Sequence, residues 1–73
     1  MYYIFYSTND VFKGEEILRD NNIDYKIVPT PIKDSVYCGV CLFSDVSIDT
    51  IQNLLDSNES GDGPLTHKYI IMG

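Results

Sequence analysis

The sequence predicts a small α+β sandwich in which the elements follow the order strand, helix, strand, strand, helix, strand. Three observations lead there. Four short runs are rich in β-branched and aromatic residues, two segments carry apolar residues at helical spacing, and turn-forming residues separate them. With 73 residues, 44% of them apolar, residues 1–73 form one domain with a real but small core. There is no Trp, so six Tyr and three Phe must supply much of the buried area.

The first strand is Tyr2 to Tyr6 (YYIFY), followed by the helix-start signal Ser7-Thr8-Asn9-Asp10. A helix is expected from Asp10 to about Asn21. Val11, Phe12, Ile17 and Leu18 lie on one face, and Lys13, Glu15, Glu16, Arg19 and Asp20 lie outside it. Gly14 weakens this helix by about 1 kcal/mol relative to Ala, and Asn21-Asn22 can close it because Asn tolerates a left-handed cap. Tyr25 to Val28 reads as a second strand, stopped by Pro29-Thr30-Pro31, since proline cannot donate to a ladder. Pro29 to Tyr37 is then a loop longer than the usual length of about 4–6 residues, which suggests a functional loop.

Gly39 to Ser44 is the third strand. Asp45 or Ser47 can cap a second helix to about Leu55, with Val46, Ile48, Ile51, Leu54 and Leu55 apolar. Asp56 to Pro64 is a turn-rich loop, and Thr66 to Met72 is the last strand.

This order is the ferredoxin-like βαββαβ plan, with an antiparallel four-stranded sheet and both helices on one face. Right-handed crossovers suggest that strands one and three run side by side and parallel in its centre. Both helices would then begin at the edge where those strands end. Because Lys26 and Lys68 should avoid the core, Tyr25, Ile27, Tyr69 and Ile71 should face the helices. Val28, Cys41, Phe43, Ile70 and Met72 would form an open face apolar enough to expect a homodimer or a docked partner.

Charge narrows the partners. Eleven acidic residues against five basic give a net charge of −6, which disfavours nucleic acid and anionic membrane and favours a partner with a basic docking face. No apolar run approaches a membrane span of roughly 20 residues. The opening residues resemble a strand and not a signal peptide, so the expected location is cytoplasmic, with both cysteines as free thiols.

Cys38-Gly39 is the sharpest local feature. The cysteine stands where the proline-bounded loop meets a strand, and Gly39 permits a bend or a close approach to the backbone. A thiol at a loop edge can be reached by solvent, as a nucleophile or carrier requires. A free cysteine is more often a small buried hydrophobe. Cys38 and Cys41 form a CxxC, but on an extended segment their Cα atoms would be ~10 Å apart, and a disulfide needs less than about 7 Å. Cys41 is therefore read as packing. With Cys38 placed away from both helix starts, any help to its thiolate would have to come from loop amides, Lys33 or Arg19.

Other chemistries are poorly supported. Cys38, Cys41 and His67 lack zinc-site spacing, so no metal is expected, and nothing brings His67 to Cys38 as a base. Asp56-x-Asn58-x-Ser60-Gly61 imitates the start of a calcium loop but has His67 where the bidentate Glu belongs. Asn58-Glu59-Ser60 matches a glycosylation acceptor without a secretory context. No phosphate loop, nucleotide fingerprint, cofactor motif or serine elbow occurs, so a self-contained enzyme is not expected.

Several segments together resemble a known family: Ser7 after the opening strand, Glu15-Glu16-Ile17-Leu18, Asn22-Ile23-Asp24-Tyr25, Val28-Pro29-Thr30-Pro31, and Ser35-x-x-Cys38-Gly39-Val40-x-Leu42. The chain resembles small bacterial proteins grouped as selenium/sulfur carrier-like. The resemblance implies that Cys38 handles sulfur or selenium, as a persulfide-type adduct passed between a donor and an acceptor protein. Pro29, Pro31, Lys33, Ser35 and Gly39 would be supporting residues. Val36 and Tyr37 depart from the small or hydroxyl residues expected there, and Tyr37 could shield the thiol. The alternative class is a non-catalytic binding or regulatory module working through the open sheet face.

Overall fold

Strand and helix positions follow the predicted order in the computed structural model, which describes residues 1–57 and 65–73. They are β1 (Tyr2–Phe5), α1 (Thr8–Asp20), β2 (Lys26–Pro29), β3 (Val40–Phe43), α2 (Ile48–Asp56) and β4 (Tyr69–Met72). The sheet order is β2-β3-β1-β4 and every neighbouring pair is antiparallel, which is a ferredoxin-like α+β fold.

The expectation that β1 and β3 run parallel is overturned. Tyr2 pairs with Phe43 and Tyr3 with Leu42 in an antiparallel register. The reason is topological. A crossover through α1 leaves β2 parallel to β1, and the β2–β3 connection then reverses the chain. The strand inserted between them must oppose both. The start of β3 therefore lies beside the end of β1, where α1 begins.

α1 starts two residues earlier than the spacing suggests. Ser7 is its N-cap, and the Ser7 hydroxyl accepts from the Asp10 amide at 3.3 Å. Its C-terminus closes through Asn22, whose φ of 58° is left-handed, with the Ile23 amide donating to the Leu18 carbonyl oxygen at 2.9 Å and the Asn22 amide to that of Arg19 at 3.1 Å. Val11, Ile17 and Leu18 turn inward, while Phe12 remains 54% exposed. Gly14 is buried against the sheet: a β-carbon there would stand 2.9 Å from Phe5 Cζ and 3.0 Å from Leu42 Cδ1. The glycine lets the helix approach the strands closely.

The main core lies between the helices and one sheet face, built from Tyr3, Phe5, Val11, Ile17, Leu18, Leu42, Ile51, Leu55 and Leu65. Tyr25, Tyr69 and Ile71 pack against it as expected. Ile27 pairs with core-facing Leu42 but stays 43% exposed on the edge strand β2. On the opposite face, Lys26, Phe43, Tyr2 and Met72 form one row across the strands. Ile4 and Cys41, both fully buried, anchor a second row with Val28 and Ile70. The calcium-like and glycosylation motifs fall mainly on residues 58–64, outside the described residues.

Candidate functional site

Cys38 sits two residues before β3 and is held from both sides. Its amide donates to the Phe5 carbonyl oxygen at 2.8 Å, a link from the entry of β3 to the end of β1 that lies outside the paired register. Its own carbonyl oxygen accepts from the Thr30 hydroxyl at 2.6 Å, and the Thr30 amide donates to the Gly39 carbonyl oxygen at 3.0 Å. Pro29 ends β2 without an amide hydrogen to give, so Thr30 supplies the hydrogen bonds that close the loop from residue 31 to 37. Inside that loop the Asp34 carboxylate accepts from the Val36 amide at 3.0 Å, and the Asp34 carbonyl oxygen accepts from the Tyr37 amide at 3.1 Å. This tight turn, of the kind Asp favours, delivers the chain to Cys38.

The Cys38 thiol is half-buried and free. Its Sγ lies 3.4 Å from Thr8 Oγ1, at the first turn of α1. The expectation that no helix start lies near Cys38 is thus corrected, and the antiparallel β1–β3 pairing is the cause. Beside the thiol, Tyr37 stacks on Tyr6 with ring centroids 5.3 Å apart, so the ring that could shield the sulfur is engaged with another ring. Tyr6 and Val36 are exposed apolar side chains close to Cys38 in the fold.

Cys41 differs in every respect. It is fully buried, turned to the side of β3 away from the helices, and burial pushes its thiol above the usual range. Its Sγ is 4.0 Å from the Pro29 carbonyl oxygen. No disulfide joins the two cysteines.

With this geometry in view, residues 1–61 match the protein family described as "Putative Se/S carrier protein-like". The chain belongs to that family. No curated protein and no solved structure matches it.

The family's carrier description directs attention to the thiol that can be reached, and the surrounding residues sort by contact. Pro29 is the last residue of β2, and Pro31 stands exposed just beyond the Thr30 clamp. Lys33 and Ser35 are exposed on the loop, and the polar side chain that touches the sulfur is neither of them but Thr8. A β-carbon added to Gly39 would have no atom within 4 Å, so the backbone beside the thiol is open to approach from outside. His67 shares this end of the sheet, since β4 pairs with β1, yet β1 separates it from Cys38. Among the described residues no cluster of His, Cys, Asp or Glu could hold a metal ion, and no helix is long and apolar enough to cross a membrane. Two surface hollows, of about 460 and 410 Å³, lie elsewhere: one beside Asp24, Lys26 and Asp45, the other beside Asp56, His67 and Tyr69.

Thr8 is the residue that sequence reasoning missed. The Ser7-Thr8 pair announces the helix start. Only the direction of β3 relative to β1 brings that start to Cys38.

Proposed function

We propose that Cys38 carries a terminal sulfur or selenium atom and passes it from a donor to an acceptor protein. The observation that carries this reading is a free, half-exposed Sγ, fixed by backbone hydrogen bonds on both sides and in contact with a single hydroxyl. In loading, the Cys38 thiolate attacks the outer sulfur of a persulfide or polysulfide donor. The donor's S–S bond breaks, its inner thiolate leaves, and a Cys38–S–S⁻ group forms with no external oxidant. In delivery, an acceptor thiolate takes the outer sulfur and the Cys38 thiolate leaves. A cytoplasmic, reducing setting suits a thiol used this way. Lys33 and Ser35 supply a cation and a donor on the loop beside the path of approach, and Gly39 leaves that path clear. Treating the native protein with polysulfide and mapping the added mass tests the reading. Mass on Cys38 that is lost in Cys38→Ser supports it, and addition at Cys41 alone, or nowhere, rejects it.

A second reading is favoured by the open sheet face. Of the eight outward strand residues, Lys26 alone is charged, on a chain of net charge −6. Two copies can approach through this face without opposing carboxylates. On this reading the domain is a binding module that forms a homodimer through its sheet. Sedimentation at rising concentration tests it: a dimer dispersed by Val28→Lys or Met72→Glu supports it, and a persistent monomer rejects it.

A further inference from the structure

We propose that Thr8 is the hydrogen-bond donor that holds and stabilises the anionic sulfur of Cys38, in both loading and delivery. The inference rests on the carrier reading for its chemical role, but the contact itself stands on geometry. Thr8 Oγ1 lies 3.4 Å from Cys38 Sγ, and in the neutral state either atom could donate. A thiolate has no hydrogen, so once the sulfur ionises Thr8 alone can be the donor.

Two features show that the pairing is built in. The Thr8 hydroxyl is not needed to cap α1, because Ser7 does that with its own oxygen, against the Asp10 amide. The Cys38 backbone is held beside the first turn of α1, because Phe5 fixes its amide and Thr30 its carbonyl oxygen. The sulfur and the hydroxyl thus meet across two rigid elements, the first turn of α1 and the entry to β3.

The consequence is symmetrical. In loading, Thr8 supports the attacking thiolate. In delivery, the S–S bond breaks with the electron pair passing to Cys38 Sγ, and Thr8 supports that leaving thiolate. A hydrogen bond to a charged group is stronger than one between neutral groups, so losing it slows a reaction of the ionised sulfur. Part of that is returned as greater intrinsic nucleophilicity of the less stabilised sulfur, so the net change in rate is about threefold.

The test compares Thr8→Val, which keeps the shape and removes the donor, with Thr8→Ser, which keeps the donor. Two rates are measured at neutral pH on the folded protein: alkylation of Cys38 by iodoacetamide, and loading of Cys38 by polysulfide. Thr8→Val is expected to slow both about threefold, with Thr8→Ser close to wild type. Unchanged rates in Thr8→Val, or an equal fall in Thr8→Ser, overturn the proposal. If the wild-type protein takes up no sulfur but alkylation follows the same Val-against-Ser pattern, the carrier reading falls and the role of Thr8 at the thiolate stands.

Discussion

The amide of Cys38, two residues ahead of β3, donates to the carbonyl oxygen of Phe5, the last residue of β1, at 2.8 Å. That bond sets the residue at the end of β1 against the residue that enters β3, and so brings the thiol to the first turn of α1. Everything distinctive about Cys38 follows from it: contact with Thr8, exposure on one side, and separation from buried Cys41.

The two cysteines should therefore separate sharply in reactivity. Brief alkylation of the native protein at neutral pH is expected to label Cys38 and spare Cys41, whose thiol is both buried and pushed up by that burial. Peptide mapping after unfolding and a second, isotopically distinct label gives the ratio. Equal labelling of both residues in the native state contradicts the placement of Cys41.

Most of the fold was legible because its signals are local. YYIF is a short aromatic and β-branched run, α1 shows its apolar face, and Asn22 adopts the left-handed cap that its side chain tolerates. The relative direction of β1 and β3 was misread because no residue encodes it. It follows from counting the reversals between them, and a parallel assignment moves Cys38 to the wrong end of the sheet. Thr8 was invisible for the same reason, being thirty residues from Cys38 in the chain. Gly14 looked like a simple weakness of the helix, and only the approach of Phe5 and Leu42 shows why a larger residue is excluded.

Gly14→Ala is accordingly expected to destabilise the protein. Alanine improves helix propensity by about 1 kcal/mol, but its methyl would meet the fully buried Phe5 ring at 2.9 Å and Leu42 at 3.0 Å. Overpacking of this kind costs about 1–3 kcal/mol, so a net loss near 1 kcal/mol is expected in chemical denaturation. A gain in stability would mean that the ring and the leucine yield freely.

Stability should fall in alkali. Burial, and then the Asp56 carboxylate accepting from the Tyr69 hydroxyl at 2.8 Å, raise Tyr69 well above the ordinary tyrosine range, and burial also raises Tyr3. A raised folded value means that the folded chain keeps its protons where the unfolded chain releases them. The contribution is intact below the unfolded value of about 10 and is lost as pH climbs toward the folded value. Thermal midpoints are expected to drop from about pH 10 upward, with a shallower drop in Tyr69→Phe measured against its own neutral-pH midpoint. Identical slopes for the two proteins would remove Tyr69 from the account.

Thr30 gives the sharpest structural test of how the thiol is held. Its hydroxyl donates to the Cys38 carbonyl oxygen at 2.6 Å in a partly buried setting, and its amide donates to the Gly39 carbonyl oxygen. Thr30→Val keeps the amide and the β-branched shape while deleting the hydroxyl. A lost intramolecular hydrogen bond is worth about 1 kcal/mol, which in a domain of this size lowers the thermal midpoint by about 4–8 °C. Residue 38 would then keep its own bond to Phe5 and be tied to Thr30 only through the neighbouring Gly39 carbonyl oxygen, so the Cys38 amide should also exchange its hydrogen faster than in wild type. A lowered midpoint with unchanged exchange at that amide would show that Thr30 contributes to stability without holding Cys38, and that the bond to Phe5 is sufficient to place the sulfur beside Thr8.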